Sequence, residues 1–110
     1  MPTSLGTVIA TRELDLKDAD GDRPVIVRIG MPQPTDDEHD YYCPFEIDGL
    51  GDRTVRRAIG IDAVQALQLA IMMIGSILTA SDEATDGRLS WLNMQGDFGF
   101  PPVPSPYDQA

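Results

Sequence analysis

The stretch that decides the fold of this chain runs from residue 60 to residue 80: Gly60-Ile-Asp-Ala-Val-Gln-Ala-Leu-Gln-Leu-Ala-Ile-Met-Met-Ile-Gly-Ser-Ile-Leu-Thr-Ala80. Its apolar residues recur at steps of three and four, as on one face of an α-helix. One face holds Val64, Leu67, Ile71, Ile74 and Leu78, and a second apolar line holds Ala66, Ala70, Met73 and Ile77. This pattern predicts one long helix that is contacted on more than one side.

The start of this helix is marked more clearly than its end. Asp62 is a preferred N-cap residue, and Gln65, three positions on, can reach back to form a capping box. The end has several turn formers, Ser81 to Glu83 and Asp86-Gly87, rather than one stop signal. Because glutamines interrupt the apolar run, it falls short of the ~20 residues of a membrane span. We therefore expect the helix of a folded domain.

Composition bounds the size of the domain and the class of partner. We expect a single domain over residues 1–110, with an ordered core over about 5–101 and a flexible tail over 102–110. Eighteen acidic against eight basic residues give a formal net charge of −10. Because lysine and arginine bind phosphate groups, this charge argues against nucleic acid or an anionic membrane as the main partner. It would suit a basic protein partner or cations, but the favoured interpretation is that the acidity keeps a small protein soluble.

Cysteine use and the amino terminus both indicate a cytoplasmic protein. Cys43 is the only cysteine of the chain, so no internal disulfide can form, as is usual in a reducing compartment. The first residues, Met-Pro-Thr-Ser-Leu-Gly, have neither the basic nor the apolar region of a signal peptide. We therefore expect a cytoplasmic location.

The chain before the helix opens with a pattern typical of a β-hairpin. Residues 7–16 predict a strand in which every second residue is apolar, with Arg12 as the exception. Because of this exception, we expect the strand to be bulged or at an edge of the sheet. The alternation is otherwise kept by Val8, Ala10, Leu14 and Leu16. Asp20-Gly21 signals the turn, and residues 24–30 predict the return strand.

Two further strands are predicted before the helix, and one after it. Residues 31–40 form a loop, and 41–48 form a third strand with Cys43, Phe45 and Ile47 on one side. Pro44 cannot donate to a ladder, so this strand is expected at an edge, or to begin after it. Residues 53–59 predict a fourth strand of ambiguous parity, and 88–93 a short fifth one.

The predicted fold class is α+β. An antiparallel meander of about four strands packs on one long helix, and a short fifth strand and a tail rich in proline and glycine follow it. Antiparallel pairing is expected because every connection between the first four strands is too short for a crossover. Residues 99–104 are expected as polyproline-like coil on the domain surface.

Three stretches resemble a family of small bacterial proteins that is catalogued as a domain of unknown function. They are Tyr42-Cys-Pro-Phe-Glu-Ile-Asp-Gly-Leu-Gly51, Gly60-Ile-Asp-Ala-Val-Gln-Ala-Leu-Gln-Leu-Ala70 and Leu89-Ser-Trp-Leu-Asn-Met-Gln-Gly-Asp-Phe-Gly-Phe-Pro101. The resemblance spans about residues 40–101. It implies a compact cytosolic bacterial protein and transfers no catalytic residue.

The acidic residues suggest metal sites only weakly. Asp18, Asp20 and Asp22 have the spacing that opens a calcium loop, but its twelfth position, a glutamate in such loops, is Ile29. A solvated hairpin turn explains them better. The loop 36–40 contains four carboxylates and His39, yet five consecutive residues cannot all point at one ion. The sequence therefore predicts no metal site and no cofactor.

No catalytic constellation is visible. Cys43 is expected to be a buried, inert thiol, since Phe45 and Ile47 share its parity. A Cys43–His39 nucleophile pair is the less favoured alternative. Arg53, Arg56 and Arg57, the only basic cluster, are expected to pair with nearby carboxylates.

The aromatic residues near the carboxyl end are the candidate partner-binding surface: Trp91, Asp97, Phe98 and Phe100. Tryptophan and phenylalanine supply large contact area at interfaces. In the alternative interpretation, Asp97 caps a turn while the three rings close the core between sheet and helix.

Three hypotheses of function follow. The first is a non-enzymatic interaction module that binds a basic protein, and immunity proteins that neutralise nuclease toxins are one class of this size and acidity. The second is a small-molecule or divalent-metal site in a pocket between sheet and helix, with Asp97 or the acidic loop as the polar contact. The third is a homodimer that pairs along the strand containing Pro44 or along the strand near residue 12.

Overall fold

A computed structural model describes residues 4–101 of the chain. Its elements are β1 (Val8–Asp18), β2 (Gly21–Gly30), β3 (Gln33–Pro34), β4 (Tyr41–Asp48), β5 (Arg56–Gly60), α1 (Ala63–Ala80), α2 (Asp82–Thr85), β6 (Leu89–Trp91) and β7 (Met94–Gln95). The predicted tail over 102–110 lies outside the described residues, as do residues 102–104 of the predicted polyproline-like coil.

The strands form one antiparallel sheet, which confirms the predicted α+β class. β1 pairs with β2, β2 with β4 and β4 with β5, as in the expected four-stranded meander. Tyr41 and Tyr42 pair with β5 on one edge and with β3 on the other, so β3 continues the line of β2. β6 and β7 extend the sheet beyond β1. The described part of the chain therefore has seven strands rather than about five.

The first hairpin has the predicted turn, one residue earlier, and a bulge that does not involve Arg12, which pairs in regular register with Val27. The turn residues are Ala19 and Asp20, and Gly21, with φ 119°, already pairs with Asp18. The register shifts between Val8 and Ala10, so the bulge lies at the start of β1.

The structure corrects the predicted position of Pro44. It pairs with β5, so β4 is an interior strand. On the opposite edge the ladder is interrupted between the Ile29–Phe45 and Gln33–Tyr42 pairs. Pro44 lies in that interruption, where a missing N–H breaks no pair on this edge. Both edges of β4 thus carry paired strands, β5 beside Tyr41–Phe45 on one edge and β2 and β3 on the other.

Tertiary packing decides the parity of β5 and the shape of the last strands. Ala58 is buried while Ile59 is 51% exposed, so the alternate residues of β5 that face the core are those in phase with Ala58. The predicted fifth strand over 88–93 is instead the β6–β7 hairpin. Leu92 and Asn93 have φ values of 51° and 64°, as a two-residue hairpin turn of the primed type requires.

α1 begins at the predicted N-cap. The Gln65 N–H donates to Asp62 Oδ1 at 2.8 Å, and Gln65 Oε1 accepts from the Ile61 N–H at 2.8 Å, one residue earlier than in a standard capping box. The buried line is Ala66, Ala70, Ile74 and Leu78. It combines members of both predicted apolar lines, whereas Val64 is 64% exposed and Met73 38% exposed.

Small residues explain why this line is the buried one. A Cβ on Gly60 would lie 2.5 Å from the Ala66 nitrogen, so strand and helix approach each other closely there. By length and composition α1 would also qualify as a membrane span, a criterion that the core helix of a soluble protein meets as well. In this fold its alanine-rich line packs on β4 and β5.

The helix covers only part of the inner face of the sheet. That face carries the core residues Leu14, Leu16, Val25, Val27, Ile29, Cys43, Phe45, Ile47 and Ala58. The outer face carries an ion network, in which Arg53 Nε lies 2.6 Å from Glu46 Oε2 and Arg28 Nη1 lies 3.1 Å from Asp48 Oδ2. Since α1 lies over β4 and β5, the inner side of β1 at Arg12 is left to the chain that follows β7.

Candidate functional site

The chain after β7 forms a tight loop that packs on the domain, and we call residues 96–101 the closing segment. Asp97 Oδ1 accepts a hydrogen bond of 2.9 Å from the Gly99 N–H, which fixes the loop as an aspartate-capped turn. Gly96 and Gly99 have φ values of 81° and 78°, a region that favours glycine. Phe98 is only 3% exposed and belongs to the hydrophobic core.

Arg12 of β1 holds this segment in place. Its Nη1 donates to the carbonyl oxygens of Phe98 at 3.1 Å and of Gly99 at 3.0 Å. Its guanidinium carbon lies 4.1 Å from the ring centroid of Trp91 and 4.8 Å from that of Phe100. Both distances are within the range of a cation–π contact. The charged residue that interrupts the parity of β1 is therefore the anchor of the closing segment.

Glycines permit the closest approaches of this segment. A Cβ on Gly99 would collide with the Trp91 ring, and a Cβ on Gly75 of α1 would lie 2.9 Å from the Phe100 Cβ. The closing segment is thus fitted between β1 and β6 on one side and α1 on the other.

The structure brings the four predicted surface residues together and assigns most of their area to the fold. Phe98 is buried, and Trp91 and Phe100 are half-buried and packed against the core. Asp97 is exposed and caps the turn. This is the alternative arrangement that the sequence suggested. A buried ring offers a partner no contact area, so a surface here is limited to Asp97 and the exposed parts of Trp91 and Phe100.

Two cavities flank the closing segment. One, of about 450 Å³, lies between the segment and the end of α1 and is lined by Gly75, Ser76, Thr79, Ala80, Gly96, Asp97, Phe98, Phe100 and Pro101. The other, of about 360 Å³, is lined by Ala10, Thr11, Arg12, Val27, Ile29, Ile71, Gly99, Phe100 and Pro101. We call the second one the Arg12 cleft. Asp97, one of the two polar contacts expected of a pocket between sheet and helix, lines the first cavity, whereas the polar residues of the Arg12 cleft are Thr11 and Arg12. The acidic loop 36–40 lines neither.

A second surface, which the sequence did not indicate, lies at one end of the sheet. The pairs Val8–Gly30, Pro34–Tyr41 and Tyr41–Gly60 bring three separate stretches to this end. We call residues 4–9, 30–41 and 59–64 the acidic end. They contain no lysine or arginine and five carboxylates: Asp36, Asp37, Glu38, Asp40 and Asp62.

The acidic end also carries exposed apolar side chains. Nine large hydrophobic residues of the described chain are exposed, and six of them lie here: Val8, Ile9, Met31, Ile59, Ile61 and Val64. Ile61 is the most exposed of them, at 73%. Hydrogen bonds from the Thr35 hydroxyl and the His39 N–H lower the pKa of Asp37, so this carboxylate stays ionised well below neutral pH. The periodicity of each stretch could not reveal this surface, because it forms only where the three meet.

The remaining candidates show no arrangement for catalysis or metal binding. Cys43 is fully buried, and burial raises the pKa of its thiol to about 11, so it is protonated at neutral pH. His39 is exposed in its loop. Across residues 4–101, no group of three or more histidine, cysteine, aspartate or glutamate side chains could hold a metal ion. Of the three arginines expected to pair with carboxylates, Arg53 does so, with Glu46 and Asp48. The prediction is wrong for Arg56 and Arg57, which form no salt bridge within residues 4–101.

Comparison with known proteins assigns a family but no activity. A family model described as Domain of unknown function (DUF6968) matches residues 10–102, which extends the resemblance well beyond residues 40–101. No curated protein and no solved structure matches the chain. Since the model covers most of the 110 residues, the chain belongs to the DUF6968 family.

Proposed function

We propose that this protein is a non-enzymatic interaction module that binds a basic protein through its acidic end. The observation that carries the proposal is the combination found there, five carboxylates without a lysine or arginine beside six exposed apolar side chains. A basic partner with apolar contact residues would complement both properties. A nuclease toxin, the partner of an immunity protein, would be one such protein.

The distribution of ion pairs favours the acidic end, rather than the opposite end of the sheet, as the surface that binds a basic partner. At the far end of the sheet Asp18 pairs with Arg23 at 3.1 Å, and Asp86 lies 3.4 Å from Arg88. No salt bridge within residues 4–101 involves a carboxylate of the acidic end. Uncompensated carboxylates steer a basic partner toward the surface that carries them.

The exposed apolar residues of the acidic end would add binding affinity that charge alone does not supply. Interfaces combine a core of buried apolar contacts with a polar rim, and the core contributes most of the affinity. Ile61 and Val64, 73% and 64% exposed, would form such a core, with Asp36 and Glu38 in the rim. We therefore expect the apolar residues to supply the affinity, and the carboxylates to make association fast and sensitive to salt.

The test is a binding experiment with a charge-reversed variant. The full chain and an Asp36→Lys/Glu38→Lys variant are each immobilised, and lysate of the native host is passed over them at low and high salt. We expect a stoichiometric basic protein to bind the wild-type chain, to be released as salt rises, and to be lost in the variant. Salt acts because the Debye length is only ~8 Å at physiological ionic strength.

The matched control is Asp20→Lys/Asp22→Lys, at the opposite end of the sheet. It changes the net charge by the same amount, and both residues are exposed. If binding depends on the acidic end, this control retains the partner. Equal loss in both variants would mean that only net charge matters, and an empty wild-type column at low salt would refute a stable partner.

A further inference from the structure

The Arg12 cleft contains a cation that has no anionic partner in the described part of the chain. None of the salt bridges among residues 4–101 involves Arg12. Arg23, Arg28 and Arg53 each pair with a carboxylate. Arg56 and Arg57 also form no salt bridge there, but both are exposed. Among the half-buried arginines of residues 4–101, Arg28 and Arg88 are paired and Arg12 is the exception.

Arg12 also retains hydrogen-bonding capacity. A guanidinium has five N–H donors, and those of Nη1 are directed to the carbonyl oxygens of Phe98 and Gly99. The N–H groups of Nε and Nη2 have no acceptor within residues 4–101. The carbonyl and ring contacts hold the side chain in one orientation without cancelling its charge. An arginine fixed in this way is prepared to bind a carboxylate, whose two oxygens match its parallel donors.

The rest of the cleft is predominantly apolar. Val27 and Ile29, 1% and 6% exposed, belong to the core beneath it, while Ala10, Ile71 and Phe100 contribute further apolar lining. Its volume of about 360 Å³ is that of a pocket for a small ligand. An apolar wall with one fixed cation suits a ligand with an aliphatic body and one negative group.

We propose that the Arg12 cleft binds a small aliphatic monocarboxylate. The carboxylate pairs with Arg12, and the alkyl chain lies against Ala10, Ile29 and Ile71. This site shares no residue with the acidic end, so it is independent of the proposed protein partner. The closing segment completes it, because Gly99, Phe100 and Pro101 line its other side.

The test uses the full chain and two probes of equal chain length, octanoate and octanol, followed by methyl NMR. Octanoate is expected to shift the methyl signals of Ala10, Val27, Ile29 and Ile71 and to saturate. Octanol has no charge and is expected to bind about tenfold more weakly than octanoate, because hydrogen bonds to charged groups are the stronger ones. Decanoate should bind more tightly than octanoate, by about fourfold for each further methylene that the cleft buries.

Two variants locate the site. Ala10→Phe fills the Arg12 cleft and is expected to abolish the octanoate shifts, whereas Thr79→Phe fills the neighbouring cavity and is expected to leave them unchanged. Equal affinity for octanoate and octanol in the wild-type chain would overturn the proposal. So would shifts confined to other regions, or no saturation by concentrations on the order of 10 mM. The wild-type comparison decides the question even if a variant fails to fold.

Discussion

Gly99 shows how one residue couples the closing segment to the rest of the domain. Its φ of 78° suits glycine, and its missing side chain leaves room for the Trp91 ring. Gly96, three residues earlier, has a similar φ of 81° but no atom within 4 Å of the position of a Cβ. The two glycines therefore separate the cost of backbone strain from the cost of a steric collision.

We predict that Gly99→Ala destabilises the domain clearly more than Gly96→Ala. Both changes add a strain of about 1 kcal/mol for a side chain at positive φ, but only Gly99→Ala pushes against Trp91. The collision adds about 1–3 kcal/mol, as is typical of overpacking. Urea unfolding of both variants, monitored by Trp91 fluorescence, measures the difference. Equal losses would mean that the closing segment is not packed on Trp91 in solution.

At the scale of elements, the extent of α1 was the most predictable feature of the molecule. Which of its faces is buried was the least predictable. The Asp62 cap and the extent of the helix follow from residues that are neighbours in sequence. Which apolar line is buried depends instead on the partners, and β4 and β5 approach closely enough to select alanine at two of the four positions, Ala66 and Ala70. For the same reason the sequence could predict that β5 exists but not which of its faces is inward.

We predict that Asp62→Ala lowers the free energy of unfolding by about 1 kcal/mol, the usual contribution of an N-cap. The variant removes the acceptor of the Gln65 N–H. Asp62→Asn removes the same charge but keeps a capping oxygen, so it should cost only a small part of this. Urea titration of the two variants separates capping from charge. If both lose the same stability, the attraction between the Asp62 charge and the N-terminus of α1, and not the capping oxygen, explains the effect.

At the scale of the whole molecule, charge is distributed unevenly between the two ends of the sheet. Arg23 at the far end and Arg28 and Arg53 on the outer face are paired with carboxylates, whereas the acidic end has no lysine or arginine. With a net charge of −10, repulsion among carboxylates opposes the compact state.

We predict that the wild-type chain becomes more stable as salt is raised from about 10 mM to about 150 mM. The Debye length falls from ~30 Å to ~8 Å over this range, which screens the repulsion at the acidic end. Asp36→Lys/Glu38→Lys changes the net charge from −10 to −6, since each substitution adds two charges, and should reduce the salt dependence. Thermal unfolding followed by circular dichroism measures both. A Tm that falls with salt would mean that the ion pairs of Arg28 and Arg53 outweigh the repulsion.

The sequence by itself determined the elements whose signals are local. These are the first hairpin, the inward line of Cys43, Phe45 and Ile47, and the helix with its cap. Each rests on residues within a few positions of one another, where backbone preference and periodicity act directly. The family resemblance was also visible there, because it depends on short motifs.

Only the tertiary structure decided how these elements meet. Arg12 binds the carbonyl of Phe98 across 86 positions of the chain, and the acidic end joins three separate stretches. Pro44 became an interior residue for the same kind of reason, since whether a strand is at an edge depends on which strands pair beside it. The Arg12 cleft and the acidic end, which carry both proposals, exist only through contacts between residues distant in sequence, and no local pattern encodes such contacts.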